Sequence, residues 1–465
     1  MPFISQLIGR RLALIAMIAG YSLSPLAIRA EVPRRPNILF LLTDDQRADT
    51  LGCMGNTLIR TPHIDALSRR GLTFDNAFVT TAICMTSRAS ILSGQYAARH
   101  GDWDFRTSFM PEQLAATYPA LLKTAGYHVG FIGKWGVGDP PTGAFDYDRM
   151  FPGQGQYLTE RDGKPIHLTR LMGDQALEFL AGAPVDRPFS LSISFKAPHV
   201  QDSNGVNDQP FRYDPVHESW YDNVTIPMPK LAGSLYYDRL PAFLKNSENR
   251  ARWAARFWGP ARYQECVKGY YRLITEVDDE VGRIIAELEK RQLADNTLII
   301  FTSDHGFYLG EYGFAGKWYA HDVSIRVPLI VVDPRLPNVQ AGTRRDEMTL
   351  NIDMAPTMLA MAGVAAPERM QGKDLGPLMA GKTPEWRREF FYEHHFAHPR
   401  IPQSEGVRTE RWKYMRFTES EPLYEELYEL TADPLEEHNL ARAPRHVDTL
   451  TEMRAKWQTL RAAAK

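Results

Sequence analysis

A chain of 465 residues, 44% hydrophobic and 24% charged, is long enough for one large domain with a smaller one beside it, or for two to three ordinary domains. Its formal net charge of −2 excludes a global basic field of the kind that recruits nucleic acid or an acidic membrane. Three cysteines, Cys53, Cys84 and Cys266, exclude a disulfide framework; they allow at most a single Cys53–Cys266 bridge and contain no CxxC pair for structural zinc.

The first segment stands outside the fold. Arg10 and Arg11 precede an apolar run from Leu12 to Ile18, with small residues suited to cleavage near Ala27 and Ala30. This pattern predicts a signal peptide over residues 1–30, by the general or a twin-arginine route, and a secreted or periplasmic protein. No later run approaches membrane-spanning length. Short apolar runs follow in chain order: "NILFLLTDD" (37–45), "HVGFIGKWG" (128–136), "FSLSISFKAPH" (189–199), "TLIIFTSDHG" (297–306) and "VPLIVVD" (327–333). Most are continuously apolar rather than alternating, as strands covered on both faces are. Between them lie helical patterns, the clearest over 267–288, where Val267, Tyr270, Ile274, Val277, Val281 and Ile284 share one stripe. The alternation predicts an α/β fold around a large, mostly parallel sheet sandwiched by helices. From about residue 385 the pattern changes to short strands such as "EFFYEHHF", "GVRTERWKYMRF" and "LYEELYEL", with a terminal helix from about 445.

The polar residues fall at the ends of the strands. Asp44 and Asp45 follow the first run, Lys134 the second, His199 the third, and Asp304 and His305 the fourth. Singly, each has a bland reading as a turn, a cap or a solvated side chain. Jointly they predict convergence, because the C-terminal ends of parallel strands share the edge where such sheets bind ligands. Three carboxylates are hard oxygen donors suited to Ca²⁺ or, less well, Mg²⁺; His305 as a further ligand tilts the set toward a transition metal. Lys134, Arg88, Lys317 and His199 add positive charge, which suits a compact anion such as sulfate or phosphate.

Cys84 does not belong in that picture as a thiol, since soft sulfur is mismatched to a hard divalent cation. Its context, "CMTSRASILSGQ", resembles the signature of the formylglycine-dependent (type I) sulfatases of the alkaline phosphatase superfamily, written Cys-x-Pro/Ala-Ser-Arg followed by an apolar pair and Thr/Ser-Gly. "PNILFLLTDDQRADTLGCMGN", "TPHIDALSRRGLTFDNAF", "GFIGKWG", "TLIIFTSDHGFYLGEYGFAGKW" and "SIRVPLIV" resemble the family's other landmarks, in order, from about residue 36 to "LYELTADPLEEHNLA" at 427–441. The resemblance implies a catalytic domain over 36–384 and a small antiparallel C-terminal subdomain over 385–465. It also implies that Cys84 is oxidised by a formylglycine-generating enzyme to Cα-formylglycine, whose hydrate attacks sulfur. Asp44, Asp45, Asp304 and His305, with residue 84, would bind the metal, and Arg88 would hold residue 84 near it. Lys134, His199 and Lys317 would grip the sulfate, with His199 or Lys317 supplying the leaving-group proton.

Two departures stand out. Thr86 occupies the place of the signature's Pro or Ala, and Gly136 follows "GKW" where many members carry histidine; His321 is a candidate replacement. The segment "YEHHFAHPRIPQSEGVRTERWKYMR" concentrates His394, His395, His398, Arg400, Arg408, Arg411 and Lys413, a candidate hold for an anionic saccharide or an ordinary charged sheet face. The stretch 201–265, rich in Tyr, Trp, Asn and Pro, is a second candidate substrate wall. The expected substrate is a sulfated carbohydrate. The alternatives are a phosphodiesterase or phosphonate monoester hydrolase of the same superfamily, and a non-catalytic sulfated-glycan binding protein if Thr86 blocks maturation.

Overall fold

The computed structural model describes residues 35–201, 209–336 and 341–465; the signal-peptide reading lies outside the described residues. Residues 35–465 form one compact unit. Among the described residues no helix is long and apolar enough to cross a membrane.

The main sheet has eight strands: β1 (Asn37–Thr43), β2 (Leu72–Phe74), β3 (His128–Lys134), β4 (Tyr147–Phe151), β5 (Phe189–Ser194), β6 (Thr297–Ser303), β7 (Leu329–Val332) and β8 (Thr343–Arg345). Their order is β8-β2-β7-β6-β1-β5-β3-β4. Only β7 runs against its neighbours β6 and β2; the other pairings are parallel. The sheet is mostly parallel, as the continuous apolar runs predict. Sequence patterning missed the short edge strands β4 and β8 and the short strand β2 beside β8. Alternation along β1 divides the core in two. Ile38, Phe40 and Leu42 pack on one face with Ala89, Ile91 and Leu92, while Leu39 and Leu41 pack on the other with Val267, Ile274 and Val277. Burial of each such aliphatic side chain contributes about 1.5–3 kcal/mol, which is why a strand apolar on both faces takes the centre of the sheet.

Five helices frame the site and the two sheets: α1 (Pro62–Arg70), α2 (Cys84–Ser93), α3 (Leu168–Gly182), α4 (Pro260–Lys290) and α5 (Val447–Ala463). α2 lies on the first face with all ten residues buried. α4, with α1 and α3, covers the second. A second sheet of four antiparallel strands, β9 (Glu389–His394), β10 (Ser404–Thr409), β11 (Trp412–Phe417) and β12 (Tyr424–Glu429), follows in simple order. α5 covers one of its faces through Leu450 and Met453. Phe390, Tyr392 and Met415 belong to the core that lies against the first face of the main sheet, and Phe390 stacks on Phe78 with ring centroids 5.4 Å apart. All three cysteines are free, so the Cys53–Cys266 bridge is not formed.

The two sheets are latched by charge. Asp322 accepts from Arg408 Nε and Nη2, each at 3.2 Å, and from Lys413, whose Nζ also lies 2.6 Å from Glu436. Burial alone would raise the Asp322 carboxyl, but Arg408 and Lys413 hold it below the usual carboxylate range. A depressed carboxyl contributes stability above its unfolded value and loses that contribution as pH falls. Asp322→Asn should therefore cost about 2 kcal/mol at pH 7, and the difference from wild type should shrink as pH drops below about 4. Urea unfolding at the two pH values measures it; a pH-independent difference would rule out the ionic account.

Candidate active site

The register of the central strands levels their C-terminal ends. Thr43 pairs with Ser303, Leu42 with Ser194, and Ser194 with Gly133. The next residues, Asp44 and Asp304, therefore leave the sheet level with Lys134, the last residue of β3. Asp45 turns at once, with φ 67°, in the left-handed region that non-glycine residues rarely adopt. It is held there by its amide donating to Asp304 Oδ1 at 3.2 Å and its carbonyl accepting from Tyr270 of α4 at 2.7 Å. Strain of this kind persists only where neighbours fix it, and it turns the Asp45 side chain toward the site.

Cys84 opens α2, directly after the extended Ile83, and is 1% exposed. Its Sγ lies 3.2 Å from Asp44 Oδ1, 3.0 Å from Lys317 Nζ and 3.3 Å from His305 Nε2. The N-terminus of a buried ten-residue helix adds partial positive charge where an oxyanion would form. Lys317 also donates to Asp45 Oδ1 at 2.7 Å. Its backbone is pinned by Asn249, which donates to the Lys317 carbonyl at 2.8 Å, and by Tyr392, which donates to the Trp318 carbonyl at 2.6 Å. Lys134 donates to Asp44 Oδ2 and, at 2.7 Å, to Gln154 Oε1. Arg88, 2% exposed, sits beneath: Nε donates to Asp304 Oδ2 at 2.9 Å, Nη2 is 3.3 Å from Asp44 Oδ2, and Nη1 donates to the Lys134 carbonyl and to Ser194.

These charges shape one another. Burial would raise the Asp44 carboxyl, yet the charges of Lys134, Arg88 and Lys317 hold it well below its ordinary value. Burial and the Asp44 charge push Asp304 up. Burial and Lys317 hold the His199 imidazole well down, so it stands neutral; its Nδ1, 2.6 Å from the Val200 carbonyl, carries the proton. Burial would lower Lys317, but Asp45, together with Cys84, Asp44 and Asp304, outweighs it and keeps the ammonium charged. Burial would lower His305 too, but Asp304 and the Cys84 sulfur together raise it to about 9.

Two groups of donor atoms lie within 4.8 Å of one another: Asp44, Asp45, Cys84 and His199, and Asp44, Cys84, Asp304 and His305. The residues named from the strand ends thus converge, together with Cys84, Arg88 and Lys317. Asp45 Oδ2 is buried and has no hydrogen-bond partner among the described residues, an acceptor aimed into the cluster. Three carboxylates with an imidazole fit a hard divalent cation, and the carboxylates that hold a proton on His305 would hold a cation in its place.

The site opens into a cleft of about 710 Å³, partly open to solvent. Cys84, His199 and Lys317 form its floor, and Gln154, Glu248, Arg252, Trp318, Phe105 and His398 are among its walls. Sequence reasoning did not single out Gln154, Glu248 or Arg252, although the last two lie in the stretch named as a substrate wall. Of the basic cluster in the C-terminal segment, His398 lines the cleft and the other six do not. His394 is fully buried, His395 is 3.0 Å from Glu405, Arg411 pairs with Glu429, Arg408 and Lys413 hold Asp322, and Arg400 stands behind Glu248. His321 does not line the cleft either: Tyr308 and Glu426 hold it, at 2.6 and 3.2 Å.

The glycine at 136 has a local reason. Its φ is +80°, and a Cβ there would lie 2.5 Å from Arg88 Cδ. Gly136→Ala should therefore displace Arg88 from Asp304 and lower kcat/KM by about 10- to 100-fold, and Gly136→His should lower activity rather than raise it. Steady-state kinetics beside a melting curve decide; full activity in the alanine variant would refute the steric account.

The chain matches the sulfatase family over residues 36–364 and the C-terminal region of N-sulphoglucosamine sulphohydrolase over residues 310–463. It is 31% identical to an N-acetylglucosamine-6-O-sulfatase of Bacteroides thetaiotaomicron, with 92% of this chain and 86% of that protein aligned. The solved structure of BT4656 in complex with its substrate D-glucosamine-2-N,6-O-disulfate superposes with a TM-score of 0.78 at 27% identity, covering 93% of this chain and 98% of that one. A phosphonate monoester hydrolase from Silicibacter pomeroyi shares the fold, with a TM-score of 0.77 at 23% identity over 92% of this chain and 96% of that one. Matched over most of its length, and carrying Cys84, Ser87 and Arg88 at the head of one buried helix, the chain belongs to the sulfatase family of the alkaline phosphatase superfamily and is a sulfuric ester hydrolase.

Proposed function

We propose that this sulfatase is exported and removes sulfate from a sulfated saccharide, using Cα-formylglycine made from Cys84 and a divalent cation, Ca²⁺ ahead of Mg²⁺. The observation that carries the reading is the position of Cys84 Sγ, within 3.3 Å of a carboxylate, an ammonium and an imidazole at a helix N-terminus. A saccharide is supported by the named activities of the relatives and by a cleft roomy enough for a sugar ring. The export signal rests on Arg10, Arg11 and the apolar run after them; N-terminal sequencing of the exported protein checks it.

Asp44, Asp45, Asp304 and His305 would hold the cation, which supplies Lewis-acid polarisation of the attacking and sulfuryl oxygens. An aldehyde hydrate at position 84 supplies two hydroxyls, one to attack sulfur and one to re-form the carbonyl as sulfate leaves. Lys134 and Lys317 present ammonium groups to the sulfuryl oxygens, where charge accumulates. Of the two candidates for the leaving-group proton, Lys317 stands charged, whereas neutral His199 has its proton committed to Val200. Lys317 is therefore proposed as the donor of the leaving-group proton.

The burial of Cys84 sets when it matures. At 1% exposure, in a helix with no exposed residue, it is out of a modifying enzyme's reach once folded, so a formylglycine-generating enzyme acts before folding. The test is the mass of the peptide containing residue 84, from protein co-expressed with such an enzyme, beside rates on 4-nitrophenyl sulfate. Free thiol alone in fully active protein would refute the reading. A phosphodiester or phosphonate monoester is the second reading, because the Lys134, His199 and Lys317 grip does not by itself separate sulfuryl from phosphoryl oxygens. Matched aryl sulfate and aryl phosphate diester rates separate the two.

A further inference from the structure

The walls of the cleft hold a cation that the sulfate grip does not use. Arg252, on the helix Glu248–Phe257, lines the cleft together with Cys84, His199 and Lys317. The cations at the floor are already matched to carboxylates: Lys134 to Asp44, Lys317 to Asp45, and Arg88 to Asp304. Arg252 takes no part in those pairings; its carboxylate partner is Glu248 on its own helix.

Its geometry is that of a prepared fork. Nε donates to Glu248 Oε1 at 3.0 Å, one helical turn back. The guanidinium lies 4.7 Å from the ring centroid of Trp318, the residue after Lys317. Trp318 in turn is 2% exposed and holds φ at 90°, so the surface on which Arg252 rests is rigid. Glu248 is itself held from the other side by Arg400 Nη2 at 2.5 Å, and its amide donates to the Arg400 carbonyl at 2.8 Å. Both Nη groups of Arg252 lack a hydrogen-bond partner among the described residues, while a quarter of the side chain (25%) is exposed. A guanidinium fixed through Nε and its face, with its two Nη donors free, presents the planar pair that binds a carboxylate or sulfate oxyanion bidentately. One carboxylate shared between two arginines leaves the cluster with a net positive charge. Phe396 and Phe105, which also line the cleft, pack edge-on with centroids 5.4 Å apart and give an apolar face for a sugar ring.

We propose that Arg252 is a specificity-determining residue that grips a second anionic substituent, a sulfate or a carboxylate, on the sugar whose sulfate ester is cleaved at the floor. Glu248 and Arg400 act through it as positioning residues. The inference rests on the saccharide reading above and adds to it: the preferred substrate is a dianionic sugar rather than a monosulfated one.

The test uses the mature enzyme with 4-nitrophenyl sulfate and a panel of sulfated monosaccharides. Each monosulfated sugar in the panel is paired with the same sugar carrying a second sulfate or a carboxylate. In the wild type, kcat/KM should favour the dianionic member of the cleaved pair by at least about tenfold, mainly through KM. Arg252→Gln should abolish that preference, and Arg252→Lys, which keeps the charge and loses the fork, should retain only part of it. Melting curves of both variants report folding, and if the glutamine variant is unfolded the lysine variant carries the comparison. Equal kcat/KM within every cleaved pair, or a preference that survives intact in the variants, overturns the inference and leaves the sulfatase reading standing. Aryl sulfate turnover without hydrolysis of any sugar overturns both this inference and the saccharide assignment. Loss of aryl sulfate turnover in the mature wild type would count against the proposed chemistry itself.

Discussion

Asp304→Asn and Asp44→Asn should each reduce turnover of an aryl sulfate by about a thousandfold or more. Each carboxylate has two duties. Asp304 accepts from Arg88 Nε at 2.9 Å and from the Asp45 amide at 3.2 Å, and it lies in the donor group that includes His305. Asp44 accepts from Lys134 and from Cys84 Sγ. Three carboxylates, Asp44, Asp45 and Asp304, face three cations, Lys134, Lys317 and Arg88, all nearly or wholly buried. Neutralising one carboxylate leaves a cation without its partner and removes a charged donor from the set proposed to hold the metal. Loss of several kcal/mol of transition-state charge stabilisation corresponds to roughly three decades in rate. Because an unpaired buried charge also destabilises the fold, by about 3–5 kcal/mol, kinetics must be read beside melting curves and bound metal per chain. Chelation of the wild type should have the same effect, with Ca²⁺ restoring activity better than Zn²⁺. A folded, metal-free Asp304→Asn protein with full activity would be decisive against the assignment.

Much of this site was readable before any fold was in hand, for a physical reason. Residues at or just after the ends of parallel strands must emerge along one edge, so Asp44, Lys134 and Asp304 are brought together by strand register alone. The resemblance added Cys84, Arg88 and Lys317, whose places depend on α2 and on a pinned loop rather than on strand periodicity. The remainder depended on tertiary geometry. The missed strands are too short to show a period: β2 and β8 have three residues each. His321 is spent on Tyr308 and Glu426, which composition cannot disclose. Gly136 reads as a lost histidine until its φ of +80° and its closeness to Arg88 show that the backbone there leaves no room for a side chain. Arg252 and Glu248 lie about 165 residues in sequence from Cys84, and only the packing of their helix against the 315–318 loop brings them to the same cleft.

Cys84→Ser should convert the enzyme from a catalyst into a single-turnover reagent. Serine at this position offers one hydroxyl among the same neighbours, Asp44 Oδ1, Lys317 Nζ and His305 Nε2, that surround Cys84 Sγ at 3.0 to 3.3 Å. The proposed Lys134, His199 and Lys317 grip is unaltered, so sulfur should still be attacked once and the alcohol released. A single hydroxyl has no geminal partner from which to re-form a carbonyl, so the sulfate ester left at position 84 persists. Incubated with aryl sulfate, the variant should release about one equivalent of alcohol per chain and stop. Intact mass should show one sulfuryl group, mapped by proteolysis to the peptide that begins α2. The ester is buried with Cys84's 1% exposure, which shields it from bulk water and lengthens its life. Continued turnover at the wild-type rate would reject the two-hydroxyl account and favour direct attack by water. Cys84→Ala separates these outcomes from background, since it keeps the grip and has no nucleophile: it should show neither burst nor adduct.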